Sequence, residues 1–479
     1  MNYSVVIYIL GWIMEIEAAF LALPGIVSAI YGEKGGFAFL WVALGSAVAG
    51  SAIILRKPKN MRFYLREGFV TVALSWILMS VIGCLPFVIN GDIPHFADAL
   101  FEMISGFTTT GATVVSDVEG LTKGSLFWRS FSHWIGGMGV LVFLLAIVPM
   151  AGGSHMNLMK AESPGPSVGK LVPKVRQTAK YLYIIYFALP MIEVIFLLFG
   201  GMNLFEALTT SFGTAGTGGF AIWNDGFVSV SPYNQWVVTI FMLLFGVNFG
   251  FYFLILTGKL RDALKFEEVR IYFIIVIAAA VFIFINLRHF ALYAPAEGIR
   301  QAFFQVASII TTTGFASADF NLWPETSRTI LVLLMFIGAC AGSTGGGIKV
   351  SRFIIACKSF IKEIISYLHP RSVKKIKIEG KPLEHETLRA TNVYFMTYMV
   401  IFAVSVLLVS IENKDLVTNF AAVAATFNNI GPGLSLVGPM ANFGHFTDFT
   451  KYILMFDMLA GRLEIFPLLL LFVPDTWRK

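Results

Sequence analysis

Apolar residues dominate ten stretches of the chain, near residues 3–29, 36–55, 68–90, 127–150, 178–200, 235–257, 269–287, 328–357, 391–411 and 449–473. Each is long enough to cross a bilayer as a helix, which takes about 20 residues. Four shorter apolar runs, of roughly 10 to 14 residues, sit between the third and fourth, fifth and sixth, seventh and eighth, and ninth and tenth of these stretches; they are too short to span and predict re-entrant helices. Each short run ends at a polar, glycine-containing turn, which is poor lipid-facing material because every unpaired hydroxyl and backbone group costs free energy in hydrocarbon. The first long run, "YSVVIYILGWIMEIEAAFLALPGIV", lacks a basic start and carries Glu15 and Glu17, so it predicts a retained first helix rather than a cleaved signal.

The four turns share one plan. They read "LFEMISGFTTTGAT" (100–113), "FEALTTSFGTAGTG" (205–218), "FFQVASIITTTGFA" (303–316) and "FAAVAATFNNIGPG" (420–433). Superposed without gaps, they place Phe107, Phe212, Ile310 and Phe427 four positions before Gly111, Gly216, Gly314 and Gly431, and Leu100, Phe205, Phe303 and Phe420 eleven positions before them. The glycines recur at intervals of 105, 98 and 117 residues. A period of this size with two spans per unit gives four units of equal orientation that pack around an axis along the membrane normal. The predicted fold is an all-α polytopic membrane protein of ten spans, with an N-terminal helix pair (1–60) and four helix–pore helix–helix (M1-pore helix-M2) repeats at 61–155, 170–262, 266–366 and 385–479.

Non-helical backbone is tolerated at membrane depth only where it is buried in protein or lines a watery path, so four polar turns meeting on the axis predict a central pore. Its expected cation ligands are backbone carbonyls of Thr109, Thr110 and Gly111, of Ala215 and Gly216, of Thr312, Thr313 and Gly314, and of Asn429, Ile430 and Gly431. The carbonyl ends of the four short helices add partial negative charge aimed at the same axis.

Composition agrees: 57% hydrophobic and 13% charged residues, with a mean hydropathy of +0.76, exclude a soluble protein of 479 residues. Connections 56–67, 151–180, 257–270 and 349–389, with the C-terminal tail, hold 26 of the 35 Lys and Arg, so that side is expected to be cytoplasmic, together with both termini. Topology then accounts for the net charge of +6, and no nucleic-acid partner is expected. Cys84, Cys340 and Cys357 lie singly in apolar segments and offer neither a disulfide framework nor a metal site.

On "TTTGAT", "FGTAGTGGF", "TTTGFA" and "FNNIGPG", on "GACAGSTGGGIKVSR" (338–352) and on "LAGRLEIFP" (459–467), the sequence resembles the Trk/Ktr/HKT potassium transporters, and among them the bacterial TrkH/TrkG subunits. The N-terminal helix pair is more similar to Trk than to Ktr proteins, which lack it. The resemblance implies a single-chain potassium pore in the bacterial inner membrane, paired as a homodimer and controlled by a cytosolic nucleotide-binding subunit of the TrkA type, with no organic cofactor on the chain itself. One departure is visible: the fourth turn carries Asn428 and Asn429 where the first and third carry threonines, which predicts a filter that is not strictly fourfold.

Two further features bear on mechanism. "GSTGGG", comprising Gly342, Ser343, Thr344, Gly345, Gly346 and Gly347, puts four glycines in six residues of the eighth run, and at about 1 kcal/mol each relative to alanine they predict a flexible loop projecting beneath the filter. The resemblance implies that this loop is a gate; a glycine-rich helix-packing face is the competing reading. No P-loop is present, since Lys349 is separated from the last glycine and followed by Val350. In the tenth run, Arg462 is either paired structurally with Asp457 or Glu464, or placed in the pore as a fixed positive charge that holds the glycine loop by its carbonyls. Asn248 in the sixth run either lines the same path or makes an interhelical hydrogen bond. Glu15, Glu17 and Glu193 are assigned to helix contacts. The basic segment 358–382 either anchors the cytoplasmic face or docks a regulatory partner.

Three classes of function compete: a potassium-conducting pore-type transporter, a sodium-coupled potassium symporter of the Ktr type, and a polytopic membrane enzyme. The last requires a nucleophile or metal cluster, and no HExxH, GxSxG or CxxC occurs.

Overall fold

The computed structural model describes residues 1–60, 64–147, 175–369 and 375–478. The end of the fourth apolar run, most of the basic connection 151–180, parts of the connections 56–67 and 349–389, and the last residue lie outside the described residues. Long helices form at Tyr3–Ile30, Gly36–Ile54, Leu65–Asn90, Lys123–Ile147, Val175–Phe199, Glu267–His289 and His385–Val409. Among the described residues six helices are long and apolar enough to cross a membrane, and a seventh crossing is made if Pro232–Phe245 and Phe249–Leu256, bent by 89°, count as one.

Among the described residues three of the ten apolar runs are built from more than one helix. The eighth run divides, as its glycines predicted, into Glu325–Met335 and Val350–Leu368. The sixth divides as well, because the Asn248 side chain caps a new helix by accepting the Gly250 N–H at 2.8 Å. The tenth ends at Arg462, where Glu464 and Ile465 take positive φ values of 59° and 68° before a short turn at Phe466–Leu469. A small antiparallel hairpin pairs Lys377–Ile378 with Lys381–Pro382 in the basic connection 349–389.

The four short runs are helical, at Phe96–Phe107, Leu204–Gly216, Pro295–Ile310 and Leu416–Phe427. Their starts are written locally: Asn203 and Glu206 form a capping box, Asp415 accepts the Thr418 N–H, and Pro295 opens the third helix. Each packs between the two helices that flank it in the chain and also against one helix beyond them. Thus Leu204–Gly216 meets Lys123–Ile147, Pro295–Ile310 meets Pro232–Phe245, Leu416–Phe427 meets Glu325–Met335, and Phe96–Phe107 meets Asp448–Arg462. The order closes on itself. The N-terminal pair packs outside this ring, against Leu65–Asn90 and Lys123–Ile147. The Met1 ammonium donates to the Arg478 carbonyl at 3.2 Å, so the two ends of the chain lie together.

Candidate functional site

All four short helices end in the same C-terminal geometry. Thr109, Thr217, Thr312 and Asn429 take left-handed φ values of 54°, 54°, 59° and 55°. In every unit the next amide bonds back across the last turn: Thr110 to Ser105, Gly218 to Gly213, Thr313 to Ser308 and Ile430 to Ala425, at 2.8–2.9 Å. This is the hydrogen-bond pattern of a Schellman cap, here built on non-glycine residues at about 1–2 kcal/mol of steric cost each. Two residues later the chain turns left-handed again at Gly111, Gly219, Gly314 and Gly431, with φ of 78°, 78°, 85° and 93°.

These angles correct the register of the second turn. Ala215 and Gly216 are the last residues of its helix, and the residues equivalent to Thr109, Thr110 and Gly111 are Thr217, Gly218 and Gly219, three positions later than the gapless superposition put them. A crowded neighbour explains the glycine-rich spelling. The imidazole of His133 lies against Gly218 and the His133 carbonyl against Gly216, where a Cβ would collide with each. His133 itself ties two units together, its Nδ1 at 2.8 Å from the Gly106 carbonyl and its Nε2 accepting the Phe220 N–H at 3.2 Å.

In the corrected register the four glycines face four carbonyls in cyclic order. A Cβ on Gly111 would strike the Gly218 carbonyl oxygen, on Gly219 that of Thr313, and on Gly314 that of Ile430; on Gly431 it would lie 2.7 Å from that of Thr110. The same four glycines line one cavity of about 120 Å³. The asparagines of the fourth turn keep this backbone. The Asn428 side-chain amide donates to the Ala424 carbonyl at 2.9 Å, as the Thr108 and Thr311 hydroxyls donate to Ile104 and Ala307 at 2.6 Å. Asn429 donates to the Thr110 hydroxyl at 3.0 Å and the Met458 carbonyl at 2.9 Å. The departure from fourfold symmetry is thus in the side chains.

Behind the first turn, Glu102 and Arg129 form a buried ion pair at 2.8 Å. Glu102 also accepts the Thr113 hydroxyl at 2.9 Å and the Val114 N–H at 3.0 Å, fixing the chain as it leaves Gly111. Single ionisable residues without a repeat signature gave the sequence no means of pairing these two. Removing one partner of a buried pair strands the other charge, which costs roughly 3–5 kcal/mol. Glu102→Ala is expected to lower thermal stability in detergent and to broaden ion selectivity in the protein that survives; unchanged melting and selectivity would show that the pair supports neither.

Directly beneath the turns lies the glycine loop. A Cβ on Gly345 would sit 2.8 Å from the Thr311 carbonyl oxygen, and on Gly346 2.9 Å from that of Asn428, while the Gly346 N–H donates to the Thr312 hydroxyl at 2.6 Å. Gly342 accepts the Phe249 N–H at 2.9 Å, Ser343 donates to Cys340 at 2.6 Å, and the Thr344 hydroxyl donates to Phe245 at 3.3 Å. At Gly347 a left-handed φ of 74° starts the chain's exit.

Arg462 reaches the loop, donating to the Thr344 carbonyl at 2.9 Å and to the Gly136 carbonyl at 2.6 Å. The carboxylates weighed as its partners are engaged elsewhere, Glu464 with Arg352 and Asp457 with the Ser405 hydroxyl at 2.7 Å. Asn248 lies at the bend of its broken helix, its amide 3.4–3.5 Å from where a Gly342 Cβ would stand, so it abuts the loop rather than pairing two helices. Lys349, noted in the sequence only to exclude a P-loop, is buried with φ of 82° just past the loop and donates to its Gly345 carbonyl. Glu15 and Glu193 accept serine hydroxyls at 2.6 Å and 3.2 Å, in keeping with helix contacts. Of the cysteines, Cys84 and Cys340 are buried and Cys357 is exposed; all are free.

The chain is similar to known proteins along its whole length. It is 37% identical over 492 residues to the Trk system potassium uptake protein TrkH of Escherichia coli (strain K12), covering 100% of both chains. It is 32% identical over 486 residues to TrkG of the same organism, covering 100% of this chain and 99% of the relative. Its fold matches the crystal structure of the potassium transporter TrkH from Vibrio parahaemolyticus with a TM-score of 0.89 at 33% identity over 100% of both chains. A family model described as "TrkH: Cation transport protein" matches residues 37–479, and on these grounds the chain belongs to the TrkH family, a family of membrane transporters rather than enzymes.

Proposed function

We propose that the protein takes up potassium across the bacterial inner membrane through one central pore, whose filter is formed by the Thr109–Gly111, Thr217–Gly219, Thr312–Gly314 and Asn429–Gly431 backbones. The observation that carries this reading is the cyclic order in which each glycine faces the carbonyl of the next turn. Carbonyls held by helix caps replace a hydration shell, and four helix C-termini behind them favour a cation. Potassium is the cargo named for the relatives. The closed packing order supports four repeats around one axis, and the positive-inside bias supports cytoplasmic termini.

The loop 342–347, lying against the inner end of the filter, acts as the gate, with Arg462 as its latch and Asn248 beside its first glycine. A homodimer and a cytosolic TrkA-type nucleotide-binding subunit complete the assembly, the latter acting through the segment 358–382 that continues Val350–Leu368. The Ktr-type sodium symporter is not favoured, because the similarity to Trk proteins spans the N-terminal helix pair.

Rubidium uptake into proteoliposomes tests the reading. Uptake competed by potassium and indifferent to a sodium gradient is expected; uptake that requires the gradient supports the symporter, and none at all overturns both. Arg462→Ala is expected to raise uptake without a partner several-fold at normal yield, since it removes both the latch and a positive charge from the path. Loss of yield with normal uptake in the remainder would reduce Arg462 to a structural role.

A further inference from the structure

Glu268 lies in the first turn of Glu267–His289, buried at 6% exposure. One of its oxygens, Oε1, accepts the Ala341 N–H at 2.7 Å and the Ser351 N–H at 3.0 Å. These amides stand on opposite sides of the glycine loop, one before Gly342 and one after Gly347, and the Val350 N–H crosses the same neck to the Ala339 carbonyl at 3.0 Å. The neighbouring Glu267 pairs with Lys358 at 2.5 Å on Val350–Leu368, and Lys358 in turn donates to the Lys377 carbonyl of the hairpin at 2.7 Å. One helical turn therefore grips the neck of the loop with one carboxylate and the arm that leaves it with the other.

We infer that Glu268 is a positioning residue that cinches the loop shut, and that displacement of Val350–Leu368 opens the loop by drawing the Ser351 N–H off the carboxylate. The inference rests on the reading of this loop as a gate. Both amides bond one oxygen, so the requirement is a correctly placed acceptor with two lone pairs. A carboxylate meets it with charge-assisted bonds, and a glutamine carbonyl meets it in weaker form. A shorter side chain does not reach.

Hydrogen exchange of the segment 338–351, read by mass spectrometry on the full-length protein, and rubidium flux into liposomes without a partner test this together. Glu268→Ala is expected to speed exchange in that segment by about tenfold, as two charge-assisted bonds are lost, and to raise flux with potassium preference intact. Glu268→Gln is expected to stay within about twofold of the wild type in both, because it keeps the acceptor. Should the alanine variant fold poorly, Glu268→Asp keeps the charge but is one methylene short and should behave as alanine does. Exchange in 338–351 that matches the wild type overturns the inference. So does exchange that rises equally in all helices, which marks a merely structural residue. Local loosening with flat flux upholds the clamp and overturns the gate reading instead.

Discussion

Serine in place of Gly219 is expected to remove most of the preference for potassium over sodium. Gly219 has φ of 78°, a conformation that costs a residue with a side chain about 1–2 kcal/mol, and its Cβ would strike the Thr313 carbonyl. Relief comes from turning that carbonyl or widening the ring, and a distortion of this size at one ligand is worth roughly tenfold in relative affinity. The same loss is expected for Gly111, Gly314 and Gly431, which face Gly218, Ile430 and Thr110. Gly216→Ser is the informative contrast. Its side chain would meet the His133 carbonyl behind the helix, so folded protein should fall while the survivors keep their selectivity. Competition of sodium and potassium against rubidium uptake, at matched protein, measures both. Native selectivity in Gly219→Ser together with loss in Gly216→Ser would return the filter to the gapless register.

Deleting residues 345–347 is expected to raise uptake in the absence of any partner while leaving ion preference nearly intact. Gly345 and Gly346 lie against the Thr311 and Asn428 carbonyls, in the same turns that carry Gly314 and Gly431. No side chain larger than hydrogen fits there, and the deletion withdraws that plug together with the Gly345 carbonyl that holds Lys349. The backbone bonds of the four caps run within their own helices, and the loop meets them at a side chain, the Thr312 hydroxyl that accepts the Gly346 N–H. Flux is compared with that of the intact protein at equal amounts in liposomes. Equal basal flux refutes the gate; a parallel fall in yield and flux identifies the glycines as a packing face.

Much of this site was legible because it is local and repeated. The helix stops at Thr108, Thr311 and Asn428 are spelled by polar, glycine-containing turns placed after short apolar runs, and repetition between spans turned a weak signal into a pattern. The glycine loop was legible for the same reason, since four glycines in six residues deny a helix its rigidity. The second turn failed because it offers Gly213, Gly216, Gly218 and Gly219, and no rule of spacing says which takes the left-handed angle. That choice falls to His133, whose ring occupies the space beside Gly218 and Gly216.

By itself, then, the sequence determined what hydrophobic period, helix-breaking residues and charge bias determine: a polytopic helical chain, four short helices ending in polar turns, a loop in the eighth run and a basic face. Only the tertiary structure decided which residues meet. It joined Glu102 to Arg129, gave Glu464 to Arg352 so that Arg462 was left to hold Thr344, bent the sixth run at Asn248, and brought Ala341 and Ser351 to one oxygen of Glu268. The physical reason is that side-chain period and backbone propensity act over a few residues, whereas the partner of a buried charge is fixed by desolvation: in a low-dielectric interior each polar group must find a complement wherever the packing of distant helices supplies one.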